Sequence, residues 1–309
     1  MIAVLVMALC IGAATSLFTV VRSILLRPLP FRDPGRLVML YEHYRDPSMN
    51  MQGFNYNPVA PADFFDWRAQ THGFADMAAW RWGQFNLTGE HGELPELVSA
   101  VGGSWNLFPL LGVNAAIGRT FTESEDRSDG NAVMLGWSLF GRRFGGDPSI
   151  VGKQIHLDGK PYTVVGVLPK GFTYPDANTQ VWVTYASGLP PDRLQHHDFH
   201  FSHVVARLRP DVSLASALGQ VEAVQYRLHL QYLNASVAED VASKTLIQDL
   251  ARDVKKPLII LLCAVACMLL IGCLNVANLM VARSAARQKE IAVRSALGAQ
   301  RATLIREQL

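Results

Sequence analysis

"KQIHLDGKPYTVVGVLP", residues Lys153–Pro169, decides the fold class of the polar part of this chain. Apolar and polar side chains alternate on either side of Asp158-Gly159, a pair suited to the positive φ angles of a two-residue hairpin turn. The stretch predicts two antiparallel strands. Outward from it, Arg36–His43, Glu96–Val101, Asn131–Leu135, Val181–Tyr185 and His203–Leu208 predict further strands. Helices alternate with them irregularly. One begins at Pro61–Trp67 with Asp63 and Asp66 near its positive end, and a short one lies in "SWNLFPLLG", stopped by Gly112. "WSLFGRRFGG" predicts another, and after Pro210 breaks the chain Ser213 caps a helix carrying Leu214, Leu218, Val221 and Leu228 at helical spacing. This mixture without regular βαβ order predicts an α+β domain, large enough for two subdomains.

Beyond that domain the pattern changes. Ile2–Val21 and Leu258–Ala282 contain no charged side chain, and each meets the roughly 20 residues a hydrocarbon core requires. Two transmembrane helices are therefore expected, at 1–26 and 257–282, flanking an extracytoplasmic domain over 27–245 and a stalk over 246–256. A cleaved secretory signal is the other reading of the first stretch, but no Lys or Arg precedes it. That missing flank leads to the expectation that the chain is a piece of a longer protein. "LLRPLPFRDPGRL" follows, where Pro28, Pro30 and Pro34 end the emerging helix.

Half of the 309 residues are hydrophobic and the net charge is +2, so nothing global points to nucleic acid or to an acidic substrate. Positive charge instead sets orientation. Arg283, Arg287, Lys289, Arg294, Arg301 and Arg306 follow the second apolar stretch, which places 283–309 in the cytoplasm and the large domain outside. Arg22, Arg27, Arg32 and Arg36 argue weakly against this, but domains of that length cross membranes largely regardless of charge. Cys10, Cys263, Cys267 and Cys273 all lie in the apolar stretches, so the outer domain folds without internal disulfides.

Candidate chemistry in the domain is thin. "GGDPSIVGKQ" looks like a phosphate-binding loop, but Asp147 stands where the first Gly belongs and Gln154 replaces the Ser/Thr that holds magnesium. No ATPase is expected in this chain. "HHDFHFSH" offers His196, His197, His200 and His203 with Asp198, the ligand types zinc prefers, yet a solvated loop leading into a strand explains them as well. No cofactor or metal is assigned. Phe64, Phe65, Trp67, Trp80 and Trp82 read as core aromatics, with a cleft for apolar cargo as the alternative.

In the second apolar stretch Asn275 and Asn278, with Gly272 nearby, suit a helix that packs against other membrane helices. After it, Arg287, Glu290 and Arg294 form a charged stripe opposite Ile291, Ala292, Ser295 and Ala296. Such small side chains suit close docking on another protein rather than membrane insertion. Gly298 fits a helix C′ position, and 302–309 starts a further helix.

"NVANLMVARSAARQKEIAVRSALGAQRATLIREQL" resembles the sequence after the second span of MacB-like and FtsX-like permeases of ATP-binding-cassette transporters. "LLRPLPFRDPGRLV", "GVNAAIGRTFTESED", "RRFGGDPSIVGKQIHLDGKPYTVVGVLPKGF" and "VVARLRPDVSL" are similar to the MacB-type periplasmic core domain. The resemblance implies a permease subunit of the bacterial inner membrane, with a periplasmic domain moved by a cytosolic ATPase for export or efflux. It makes Glu290, Ile291, Ala292, Val293, Arg294, Leu297, Gly298 and Ala299 the ATPase-coupling segment. It also implies four spans per unit, a second permease unit as homodimer or fused half, and in some relatives a periplasmic adaptor. A two-span sensor with an extracytoplasmic ligand domain shares the layout, but it should continue into a heptad-bearing helix, which Gly298 interrupts. A membrane-anchored hydrolase would need a nucleophile and base, and none is legible.

Overall fold

The computed structural model describes residues 30–46, 48, 56–88, 94–232 and 238–296, with scattered positions of the first apolar stretch. Contacts divide the chain into two compact units, one of Leu29–Asp249 and one of Met1–Pro28 with Leu250–Leu309.

In the first of these units ten strands form a single sheet: β1 (Leu37–His43), β2 (Phe74–Leu87), β3 (Glu96–Gly103), β4 (Ile117–Gly118), β5 (Ala132–Leu135), β6 (Gln154–Leu157), β7 (Lys160–Val167), β8 (Val181–Thr184), β9 (His203–Leu208) and β10 (Asp240–Thr245). Their order is β10-β1-β9-β2-β3-β8-β5-β7-β4, with β6 joining β7 to β2. The hairpin forms as predicted. Asp158 and Gly159 both take positive φ, 50° and 75°, and Leu157 pairs with Lys160 across the turn.

Long β2 organises the rest. Phe74–Trp80 pairs with β9, while Trp80–Leu87 pairs with β3 and then meets β6 through Leu87 and Leu157. The ladder β2-β3-β8-β5-β7-β6 therefore returns on itself as a small closed ring. Val98, Val133, Leu135, Leu157, Val164 and Val183 belong to one buried cluster of that region. The two expected subdomains are thus two regions of one sheet sharing β2, with no linker between them among the described residues.

Among the described residues six α-helices have defined bounds: α1 (Pro61–Gln70), α2 (Leu107–Leu111), α3 (Trp137–Phe144), α4 (Leu214–Gln231), α5 (Leu246–Leu250) and α6 (Arg252–Ala296). Gly112 ends α2 at φ 76°, and Ser213 caps α4 by accepting from Ser216 N. Helices α1 and α4 cover β1, β9 and the first half of β2, burying Phe64, Trp67, Val221 and Leu228 with Val38, Leu40 and Val204. Covered strands read as unbroken apolar runs, which is why "LVMLY" of β1 and "AVML" of β5 were visible in the sequence.

In the other unit, α6 runs 45 residues, with Pro257 inside its second turn and no further proline after it. Its segment Ile259–Ala286 has 28 residues and a mean hydropathy of 2.8 in its apolar window. At 1.5 Å per residue it reaches about 42 Å, more than a ~30 Å hydrocarbon core. The stretch expected as a stalk is helical, comprising α5 and the start of α6, with Leu246 fully buried. Most of the first expected span lies outside the described residues. Where it is described it is helical, and Thr15 and Thr19 donate to the carbonyls of Ile11 and Thr15.

Candidate functional site

Two places in the chain carry candidate chemistry. The first is the end of α6. Gly272 is buried and Asn275 and Asn278 are exposed on that helix. The helix continues through Ala296, so Glu290, Ile291, Ala292, Val293 and Arg294 extend the apolar segment as one rod. Leu297, Gly298 and Ala299 lie outside the described residues.

The second is built from the histidine-rich segment, and the structure corrects the reading of it. Strand β9 begins only at His203, so 196–201 has no alternating faces. Instead of lying in solvent, His197 and His200 both turn inward, their side chains 10% and 15% exposed, onto carboxylates that are fully buried. His200 Nδ1 lies 2.7 Å from Glu42 Oε2, and its Nε2 is 3.1 Å from the Tyr44 hydroxyl. His197 Nδ1 bonds Asp63 Oδ1, and its ring stacks on Tyr232 with centroids 4.1 Å apart. His196 stays exposed beside Asp198, and His203 stacks on Trp80. The four imidazoles point to four different partners. No group of three or more metal-ligating side chains occurs among the described residues.

The local sequence explains why the acids are held. Glu42 is the one acid in β1, and its Oε1 accepts from Ala60 N at 2.7 Å, just ahead of α1. Asp63 lies in the first turn of α1, where the helix dipole favours an anion. Its Oδ2 accepts from Gln225 Nε2 at 2.9 Å, and Gln225 Oε1 in turn accepts from Trp67 Nε1 at 2.8 Å. Burial pushes the Glu42 carboxyl up to about 7; contact with His200 opposes the shift and the Asp63 charge adds to it. For His197 burial acts downward, but the bond to Asp63 and the charges of Asp63, Asp66 and Glu42 outweigh it and raise the imidazole.

Sequence reading missed Glu42 altogether and took Asp63 for a helix-end charge. A lone acid inside an apolar strand was the available signal. The loop resembling a phosphate site is not one: Asp147 Oδ1 accepts from Ser149 N, Lys153 Nζ bonds Ser149 Oγ at 3.0 Å, and β6 rather than a helix follows. Of the aromatics read as core, Phe64, Trp67 and Trp80 are buried, whereas Phe65 and Trp82 are exposed. The exposed Phe65 ring on α1 and the exposed Trp82 indole on β2 are the parts of that reading the structure overturns.

Residues 1–224 match the family described as MacB-like periplasmic core domain. Among curated relatives, the macrolide export ATP-binding/permease protein MacB of Burkholderia thailandensis is 28% identical over 216 residues, 68% of this chain and 31% of that protein. The pyoverdine export ATP-binding/permease protein PvdT of Pseudomonas syringae pv. tomato is 27% identical over 212 residues, 68% of this chain and 32% of that one. This chain thus aligns with about a third of the length of those relatives. A domain of a putative permease from Porphyromonas gingivalis shares the fold at TM-score 0.56 and 16% identity, covering 71% of this chain and 93% of that one. The periplasmic region of MacB from Actinobacillus actinomycetemcomitans does so at 0.52 and 12%, covering 71% and 92%.

Proposed function

Because this chain belongs to the MacB-like periplasmic core domain family of ABC permeases, we propose that it transmits ATP-driven motion across the bacterial inner membrane for export of a small molecule. The observation that carries this reading is the continuity of α6. Beyond Pro257 one uninterrupted helix holds both the 28-residue apolar segment and residues 290–296 that include the start of the coupling segment. A continuous helix is a stiff element, so displacement at one end is felt at the other.

In this reading a cytosolic ABC-type ATPase binds Glu290, Ile291, Ala292, Val293, Arg294, Leu297, Gly298 and Ala299. The domain 27–245 sits in the periplasm. Gly272, Asn275 and Asn278 pack against helices of a second permease unit, and a periplasmic adaptor receives the cargo. Export of macrolides and pyoverdine by the named relatives supports a small-molecule cargo.

The test is affinity purification of the permease from its own membrane, followed by ATPase assay of the eluate. Co-purification of a nucleotide-binding-cassette subunit whose hydrolysis depends on the permease is expected. Recovery of the permease with no associated nucleotidase, or with a kinase instead, would overturn the reading.

A further inference from the structure

The segment Pro190–Phe201 between β8 and β9 lies as a strap across the N-terminal turn of α1 and the end of α4. Two apolar side chains, Leu194 and Phe201, pack against the core beneath. Its other inward anchors are His197 and His200, each set on a carboxylate with no exposure of its own. Side chains from several elements face this pair: Glu42 from β1 and Tyr44 just after it, Asp63 and Asp66 from α1, and Tyr232 from the cap of α4. Glu239, just before β10, adds a further negative charge that reaches Tyr44. Apart from the two imidazoles, the groups just named are acidic or phenolic.

We propose that the strap is a proton-controlled latch, closed on the domain while the His197–Asp63 and His200–Glu42 pairs each hold a titratable proton and released when they lose them. Charge counting gives the reason. With one titratable proton in each imidazole–carboxylate pair the four groups sum to zero, whether the proton of the Glu42–His200 pair sits on the ring or on the carboxyl that burial pushes up. With both of those protons lost, two buried carboxylates remain without a counter-charge, and a buried uncompensated charge is strongly unfavourable. The strap carries both imidazoles, so opening it hydrates Glu42 and Asp63 and relieves the penalty. Closure takes up protons, hence the closed-to-open ratio falls as pH rises through neutrality. The sign agrees with the upward displacement of both the Glu42 carboxyl and the His197 imidazole.

The inference stands on the geometry of the outer domain and is independent of which ATPase or cargo the permease serves. Hydrogen exchange of the intact chain in detergent micelles tests it, at about pH 5.5 and about pH 8.5, a range spanning imidazole titration. Rates are corrected for the chemical pH dependence of exchange. Peptides covering residues 190–203 should lose protection on the order of tenfold or more at the higher pH, as expected when closure takes up one proton over at least about one pH unit. Peptides from β5 and β7 should not change. In the double variant His197→Asn, His200→Asn the strap should exchange fast at both pH values. Equal strap protection at both pH values in the parent protein would refute the latch. So would loss of protection in the strap and in β5 and β7 together. The parent comparison decides the matter even if the double variant fails to fold.

Discussion

Replacing Asp63 with Ala removes a buried acceptor shared by Gln225 Nε2 and His197 Nδ1. Asp63 is fully buried, holds Gln225 Nε2 at 2.9 Å, and pairs with His197. Breaking one side of a buried ion pair costs about 3–5 kcal/mol, a range that includes the stranded partner. The Gln225 amide retains the carbonyl of Ala238 at 2.9 Å, so its loss adds little. For a domain of this size each kcal/mol lowers the melting temperature by roughly 2–4 °C, giving an expected fall on the order of 10 °C. Tryptophan fluorescence during heating is a suitable assay, because Trp67 donates to Gln225 one bond away from the change. The fall should shrink at alkaline pH. His197 has a raised folded value, so its stabilising pair is complete below the ordinary imidazole range and is lost as pH rises through that raised value. A variant that melts within about 1–2 °C of the parent at pH 6 would refute the reasoning, since that is less than the cost of one ordinary hydrogen bond.

Other consequences follow from the same contacts. Above the ordinary carboxyl range the domain should lose stability as pH rises from about 4.5 to about 7, because Glu42 binds more protons folded than unfolded; chemical denaturation at several pH values checks this. Below that range Glu125, held down to about 2 by Arg119 and Thr122, should reverse the slope. Gly118→Ala should be far more damaging than Gly159→Ala. Both glycines take positive φ, but a Cβ at Gly118 would collide with the Val165 carbonyl oxygen, whereas at Gly159 nothing stands within 4 Å. The strain at Gly159 alone amounts to about 1–2 kcal/mol, and thermal melts of the two variants should rank accordingly. In the membrane complex, Ala292→Glu should leave insertion intact while separating ATP hydrolysis from export. Normal export by that variant would remove Ala292 from the coupling segment.

Local signals were read well because they depend on neighbours in sequence. Asp158-Gly159, Gly112 and Ser213 each fix a turn or a cap through their own backbone preferences, and the elements beside them formed where predicted. Strand β2 was missed for the opposite reason. "FADMAAWRWGQFNL" opens with alanines and an aspartate, which favour no strand locally, and its conformation comes from partners on both sides, β9 first and then β3. Edge strand β10, "DVASKT", has no apolar run to betray it and is defined by pairing with β1. The buried acids show the same limit. Glu42 and His200 are 158 positions apart, and only the return of the chain through β9 brings them together. Histidines in the sequence announced a site, while the kind of site depended on carboxylates from two distant elements.

Sidedness of the membrane is the most direct test of the transmission account. In a chain whose Cys10, Cys263, Cys267 and Cys273 are replaced, Ala177→Cys marks the exposed surface of the outer domain and Gln300→Cys marks the basic end. An impermeant maleimide added to spheroplasts should label position 177 at once and position 300 only after the membrane is opened. Labelling of both positions from the same side would contradict the account.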